Sequence, residues 1–296
     1  MHSEMSLEKA IDADMHTITT RRGHRVCFYS DTSAKGRPLV LLHSINAAPS
    51  SMEMRPLFDR YRASRPVYAL DLPGFGMSQR SIEVFDAQLF AETIGEFCSG
   101  LPGDAPDVIA LSLTGEFVAR SVLEQGLSIA SLTLISPTGL GDRLPPGPEK
   151  QARVRSFLNF AGVGRGLFSL LRTRPSIRYF FSMNFVGKVP SSLVDYAVAT
   201  TRENDAHRGP LTFLTMGLFT PNASKVLFDK LDIPLLVLYD RDPNVSFERL
   251  EDLLKKPNCT SKRIHQTLGM PHWEQQDATC NALDRFWESS PTAVSG

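Results

Sequence analysis

Three residues scattered along this chain have the types needed to hydrolyse an ester together: Ser112, Asp242 and His272. A serine hydroxyl at its ordinary pKa is a poor nucleophile. A neutral imidazole within hydrogen-bond reach must take its proton during attack. A buried carboxylate then fixes the imidazole tautomer and stabilises the imidazolium that forms. Ser112 lies in Val-Ile-Ala-Leu-Ser-Leu-Thr-Gly, 108–115, between a strand-like and a helix-like segment. His272 lies in Gly-Met-Pro-His-Trp-Glu, 269–274, ahead of the last helix-like segment. Asp242 follows an apolar run in Leu-Tyr-Asp-Arg-Asp-Pro, 238–243, where Asp240 is the competing acid and Asp242 the preferred one. Each residue alone also suits a turn or cap. The order Ser, acid, His, with each member just past a predicted strand, points to a nucleophile, its acid and its base.

The nucleophile needs an oxyanion site of two backbone N–H groups, and losing one such donor typically costs ~3 kcal/mol of transition-state stabilisation. One donor is expected at Leu113, after the nucleophile and at a helix N-terminus. The other is expected at Ile45, in the loop His-Ser-Ile-Asn-Ala-Ala-Pro that opens at His43. His43, Ser44 and Asn46 are expected to support that loop. The usual Gly-x-Ser-x-Gly frame of a nucleophile elbow reads here with Ala110 and Thr114 at the glycine positions and Gly115 one residue late. A titrating His272 predicts activity that falls as pH drops below ~6 to 7.

The elements that must carry these residues alternate. A hairpin is expected over 17–29, and buried strands over 38–43, 66–71, 107–111, 131–136 and 233–239, with a short strand over 262–265. Helices are expected over 51–61, 86–98 with Asp86 as cap, 115–125, 246–255 and 278–287. Between 141 and 220 no strand is legible. That stretch holds eight of the 18 phenylalanines and reads as short helices broken at Gly162, Gly164, Pro175, Pro190 and Pro210. The expected organisation is an α/β core, 1–140 and 221–296, with an all-helical cap over 141–220.

Composition narrows the chemistry. The chain has 296 residues, with Lys plus Arg equal to Asp plus Glu at 32 each, which argues against a nucleic-acid-binding surface. No apolar run approaches the ~18 residues of a membrane span. The N-terminus lacks a basic segment followed by an apolar one, so no signal peptide is expected. Cys27, Cys98, Cys259 and Cys280 form no Cys-x-x-Cys or Cys/His cluster and read as buried thiols of a cytoplasmic protein.

Several segments together resemble the α/β-hydrolase superfamily: LLHS at 41–44, DLPGFGMS at 71–78, LSLTG at 111–115, LISPTG at 134–139, YDRDP at 239–243 and GMPH at 269–272. The resemblance implies an eight-stranded, mostly parallel sheet flanked by helices, a helical cap inserted after the sixth strand, and acyl transfer to water without metal or cofactor. It departs from the family at Ser44, where His-Gly is usual, and at the elbow glycines. HSINAAPSSMEMRPLF at 43–58 with YDRDPNVSF at 239–247 is similar to a bacterial subgroup that includes serine-dependent macrolide esterases. The expected function is therefore a serine carboxylic-ester or lactone hydrolase, with macrolide ring opening, and hence antibiotic resistance, as the leading substrate reading. A general esterase, or a carbon–carbon hydrolase or perhydrolase, is the alternative. A non-catalytic small-ligand receptor is the remote one. The expected partners are a small ester or lactone and water, with no nucleic acid and no membrane.

Overall fold

The computed structural model describes residues 7–289. Eight strands form one sheet in the order β1-β2-β4-β3-β5-β6-β7-β8. The opening hairpin, β1 (Asp14–Thr19) and β2 (Arg25–Asp31), is antiparallel, and β2 runs antiparallel to β4 (Val67–Leu70). From β4 onward through β3 (Leu39–Leu42), β5 (Asp107–Leu111), β6 (Ser131–Ile135), β7 (Leu235–Tyr239) and β8 (Cys259–Arg263) every pairing is parallel. The central strands are buried on both faces, which is why they read as unbroken apolar runs instead of alternating ones.

Helices cover both faces. α2 (Ala87–Ser99) and α3 (Thr114–Gln125) pack Leu89, Phe90, Phe97 and Phe117 on one side. α1 (Arg55–Tyr61) and α12 (Gln276–Ser289) pack Leu57, Phe58, Leu283 and Phe286 on the other. Asp86 caps α2, accepting from the Leu89 N–H at 2.6 Å. The helix expected over 51–61 opens as a 3-10 turn, Ser51–Met54, and becomes α-helical only at Arg55. Pro56 belongs in that first α-turn because it has no N–H to give.

Two elements differ from expectation. The helix expected over 246–255 shrinks to α10 (Leu250–Leu253). The Arg249 N–H donates to the Leu140 carbonyl at 2.8 Å and its guanidinium pairs with Asp142 at 2.9 Å, so the preceding chain is tied to the loop after β6. β8 lies earlier than the 262–265 expected. It is an edge strand of polar sequence, Cys-Thr-Ser-Lys-Arg, so no apolar run marks it.

Within residues 141–220, between β6 and β7, the chain forms five α-helices and no strand: α4 (Pro148–Asn159), α5 (Val163–Leu171), α6 (Arg174–Ser182), α7 (Ser191–Thr200) and α8 (Arg208–Leu214). Pro175 lies in the first turn of α6, and Pro190 caps α7. Gly164, expected to break a helix, sits inside α5, where a Cβ would come within 2.6 Å of the Leu158 carbonyl oxygen. It is there for a close approach of backbone to backbone. α9 (Ala223–Val226) returns the chain to the sheet, and α11 (Pro271–Glu274) precedes α12.

Candidate active site

Ser112 follows β5 directly and stands at φ 56°, a left-handed conformation that a non-glycine residue adopts only when its surroundings force it. Its N–H donates to the Ile135 carbonyl at 2.8 Å, and α3 begins two residues later. A sharp turn of this kind exposes the hydroxyl at the C-terminal edge of the sheet, beside a helix N-terminus. The departures from the glycine frame have physical counterparts. Ala110 is fully buried in β5. Thr114 is fully buried too, and its hydroxyl donates to the His43 carbonyl at 2.6 Å, tying the elbow to the end of β3. Gly115 supplies the close contact instead: a Cβ there would lie 2.5 Å from Leu134 Cδ2.

The loop after β3 is braced from within. The Leu72 N–H donates to His43 Nε2 at 2.9 Å, so His43 carries its proton on Nδ1 and donates it to the Ser44 carbonyl at 2.6 Å. Glu53 is buried and accepts from the Ser44 N–H and the Asn46 amide, each at 2.8 Å. Asn46 also donates to Ser44 Oγ at 2.7 Å and accepts from the Ala48 N–H at 2.8 Å. Burial pushes the Glu53 carboxyl above its ordinary range. Neither the Ile45 nor the Leu113 N–H donates to another group among the described residues. The two amides expected to hold an oxyanion are thus uncommitted.

The two candidate acids separate. Asp240 is buried and held by the Arg263 guanidinium at 2.7 Å and the Thr267 N–H at 3.2 Å, and that hydrogen bonding keeps its carboxyl below the usual range despite burial. Asp242 faces the pocket that Ser112 faces. It accepts from the Asn244 N–H at 2.7 Å, forms no ion pair among the described residues, and is raised above the usual carboxylate range by burial.

His272 does not meet these groups. It stands on α11, fully buried, with Nε2 donating to the Glu53 carbonyl at 2.8 Å, an oxygen it shares with the Trp273 indole N–H at 2.7 Å. Its Nδ1 has no partner among the described residues, and the side chain is not among those lining the pocket over Ser112. Burial lowers its pKa to about 4. The ring expected to serve as the base bonds, in this structure, to the Glu53 carbonyl and to neither Ser112 nor Asp242. Its place at a helix start, not on the loop before it, turns the ring toward the oxyanion-loop brace.

What the structure sets against Asp242, in the pocket that Ser112 also lines, is Gly269. A Cβ there would lie 3.1 Å from Asp242 Oδ2 and 2.6 Å from Asn184 Oδ1. Asn184 comes from the turn after α6 and accepts from the Asn244 amide at 3.3 Å. Ser136, at φ 42° after β6 with its hydroxyl unpartnered among the described residues, lines the same pocket. Sequence reading missed Gly269, Asn184, Asn244 and Ser136. Gly269 was visible as the start of Gly-Met-Pro-His, but a glycine three residues before a histidine gives no sign that its own position faces the acid. The cavity measures about 310 Å³ and is mostly apolar, closed by Ile45, Ile177, Phe180, Phe181, Phe213 and Leu214.

Residues 39–282 match the model of the alpha/beta hydrolase family. The chain belongs to that family. Its relatives include mouse "1-acylglycerol-3-phosphate O-acyltransferase ABHD5", 31% identical over 132 residues, which is 43% of this chain and 37% of the mouse protein. The pig protein of the same name is 25% identical over 220 residues, 68% of this chain and 62% of the relative. The alignments thus span less than two thirds of the length of these relatives. Among solved structures, this hydrolase fold is similar to a serine hydrolase involved in carbazole degradation (CarC), with TM-score 0.74 and 15% identity over 93% of this chain and 98% of the other. A putative aryl esterase from Burkholderia cenocepacia gives 0.72 and 18% over 94% and 99%. The meta-cleavage product hydrolase CumD from Pseudomonas fluorescens IP01, as a mutant complexed with acetates, gives 0.69 and 12% over 93% and 98%. At such identities the likeness carries the fold and not the substrate.

Proposed function

We propose that this α/β hydrolase forms an acyl-enzyme at Ser112 with a compact apolar ester or lactone bound beneath the helices of 141–220, which act as its cap. The observation that carries the reading is the strained elbow: Ser112 is held at φ 56° facing an apolar cavity that Ile45 also lines, and the N–H groups of Ile45 and Leu113 are uncommitted among the described residues. A strained non-glycine residue costs about 1–3 kcal/mol, and such strain concentrates at functional sites. In the acylation step Ser112 Oγ attacks the carbonyl carbon, the carbonyl oxygen gains charge against the two amides, and the alcohol leaves. In a lactone that alcohol stays tethered to the acyl chain.

Macrolides remain the most specific substrate reading, resting on the subgroup resemblance of 43–58 and 239–247. A cavity of about 310 Å³ is at the small end of ligand sites, so a large-ring lactone could place only part of itself there unless the cap opens. Smaller apolar esters fit the volume better. A second reading, a non-catalytic receptor for a small apolar ligand, is favoured by one observation: His272 is bonded to Glu53 and not to Ser112.

The test is mass spectrometry of wild type and Ser112→Ala after incubation with large-ring macrolides and short p-nitrophenyl esters, with fluorophosphonate labelling of Ser112 alongside. Gain of one water by a macrolide, absent in the variant, supports lactone hydrolysis. Turnover of short esters alone keeps the hydrolase and removes the macrolide. No labelling and no turnover, with a ligand that raises the melting temperature and is released unchanged, leaves the receptor.

A further inference from the structure

A serine hydrolase needs a proton acceptor that touches its nucleophile and its acid at once. The position in this chain whose side chain would start against Asp242 is 269, and it is glycine. Two oxygens, Asp242 Oδ2 and Asn184 Oδ1, converge on the space over the Gly269 Cα, and both are acceptors. Asp242 has no cationic side chain paired with it among the described residues, although it is half-buried. The same cavity wall carries Ser112 and opens onto the apolar interior. Acceptors facing a small opening beside a nucleophile form a site for a hydrogen-bond donor.

We propose that this pocket takes its proton acceptor from outside the chain: a small neutral nitrogen base, an imidazole or a primary or secondary amine, seats over Gly269 between Asp242 and Ser112. Resting on the serine-hydrolase reading, the proposal specifies its substrate class as esters that carry such a nitrogen, or esters turned over beside a free one. The base must have both an N–H and a lone pair. The N–H donates to Asp242, and the lone pair accepts the Ser112 Oγ proton as Oγ bonds to the carbonyl carbon and the π pair moves to oxygen. The resulting cation, stabilised by the Asp242 carboxylate, returns that proton to the leaving alkoxide as the C–O bond breaks. In deacylation the base takes a proton from water, hydroxide adds to the acyl carbon, and Ser112 Oγ recovers the proton on leaving. The base is regenerated.

The experiment follows p-nitrophenyl acetate hydrolysis by wild type with increasing imidazole, with the Ser112→Ala rate subtracted at each concentration. A saturable rise of about 10²-fold is expected, the ordinary scale of general-base assistance. N-methylimidazole, which keeps the lone pair and lacks the N–H, gives little. Asp242→Asn removes the rise. The p-nitrophenyl ester of 3-aminopropionic acid, compared with that of butyric acid, separates the sources: faster turnover without imidazole means the ligand carries the base, and a need for imidazole means it comes from solution. The double variant Gly269→His with Asn184→Ala supplies a tethered base and clears the amide that the new Cβ would meet, and its kcat should rise without imidazole. If fluorophosphonate labels Ser112 but neither imidazole nor the double variant raises turnover, the proposal is overturned and the hydrolase reading stands. If His272→Gln keeps its melting temperature and loses wild-type turnover, His272 is the base and the proposal is overturned. If Ser112 is neither labelled nor turns over any ester in any variant, the hydrolase reading fails, and this proposal with it.

Discussion

Ser112 holds its φ of 56° at a cost that glycine would not bear. Ser112→Gly should therefore raise stability by about 1 kcal/mol, read as a higher denaturant midpoint, while labelling by a fluorophosphonate disappears. An unchanged or lower midpoint would mean that the elbow stores no strain. His272 makes a separate prediction through proton linkage. Its folded pKa, about 4, is below its ordinary 6.5, so between these values the unfolded chain binds a proton that the folded one refuses. Stability from this residue is full above pH 6.5 and is lost as pH falls toward 4, by about 3 kcal/mol in all. His272→Gln, which can still donate to Glu53, should flatten that acid limb in denaturation curves measured between pH 4 and 7. It should leave ester turnover in place. Both residues stood out in the chain as candidate chemistry. The place of Ser112 was legible, because a turn between a strand and a helix is a local property, whereas the direction of the His272 ring depends on where α11 begins.

The elbow works as a unit of β5, the Ser112 turn and α3, locked to the end of β3 through Thr114. Gly115 lets α3 approach the sheet, and a methyl there would meet Leu134, a fully buried side chain of β6. Gly115→Ala should cost about 1–3 kcal/mol by overpacking. Because Leu134 must move to admit it, the loss should show as a lower melting temperature together with slower acylation of Ser112. Normal stability and normal acylation would show that the contact is slack. The central strands were readable from apolar runs, and α2 from its Asp86 cap and apolar stripe. α10 and β8 were not, since a backbone tie from Arg249 to Leu140 and an edge position leave no apolar pattern in the sequence.

Across the full fold, the sheet brings Ser112 and Asp242 to one edge, and the helices of 141–220 close an apolar cavity over them. Phe213 lines that cavity from α8 and packs against Phe219, with ring centroids 5.6 Å apart. Phe213→Ala should enlarge the acyl space and shift kcat/KM toward longer or bulkier acyl chains relative to acetate. A p-nitrophenyl ester series from two to ten carbons would show it, and an unaltered chain-length profile would place the acyl group elsewhere. Phe180, Phe181 and Phe213 face the pocket, whereas Phe157 and Phe160 are exposed. Composition alone could not sort them, because the sorting depends on how five short helices pack.

Local patterning was enough to specify the hydrolase frame: a parallel sheet from buried strands, a serine at the turn between β5 and α3, and aspartates after β7. These follow from periodicity and turns, which act over a few residues. Which aspartate shares a pocket with Ser112, and where the imidazole goes, depended on the folded arrangement. Asp240 is claimed by Arg263, 23 residues away, and His272 by a carbonyl 219 residues away, while Gly269 leaves the acid's flank bare. Such choices are made by contacts between distant segments, and a chain read residue by residue carries no record of which segments will touch.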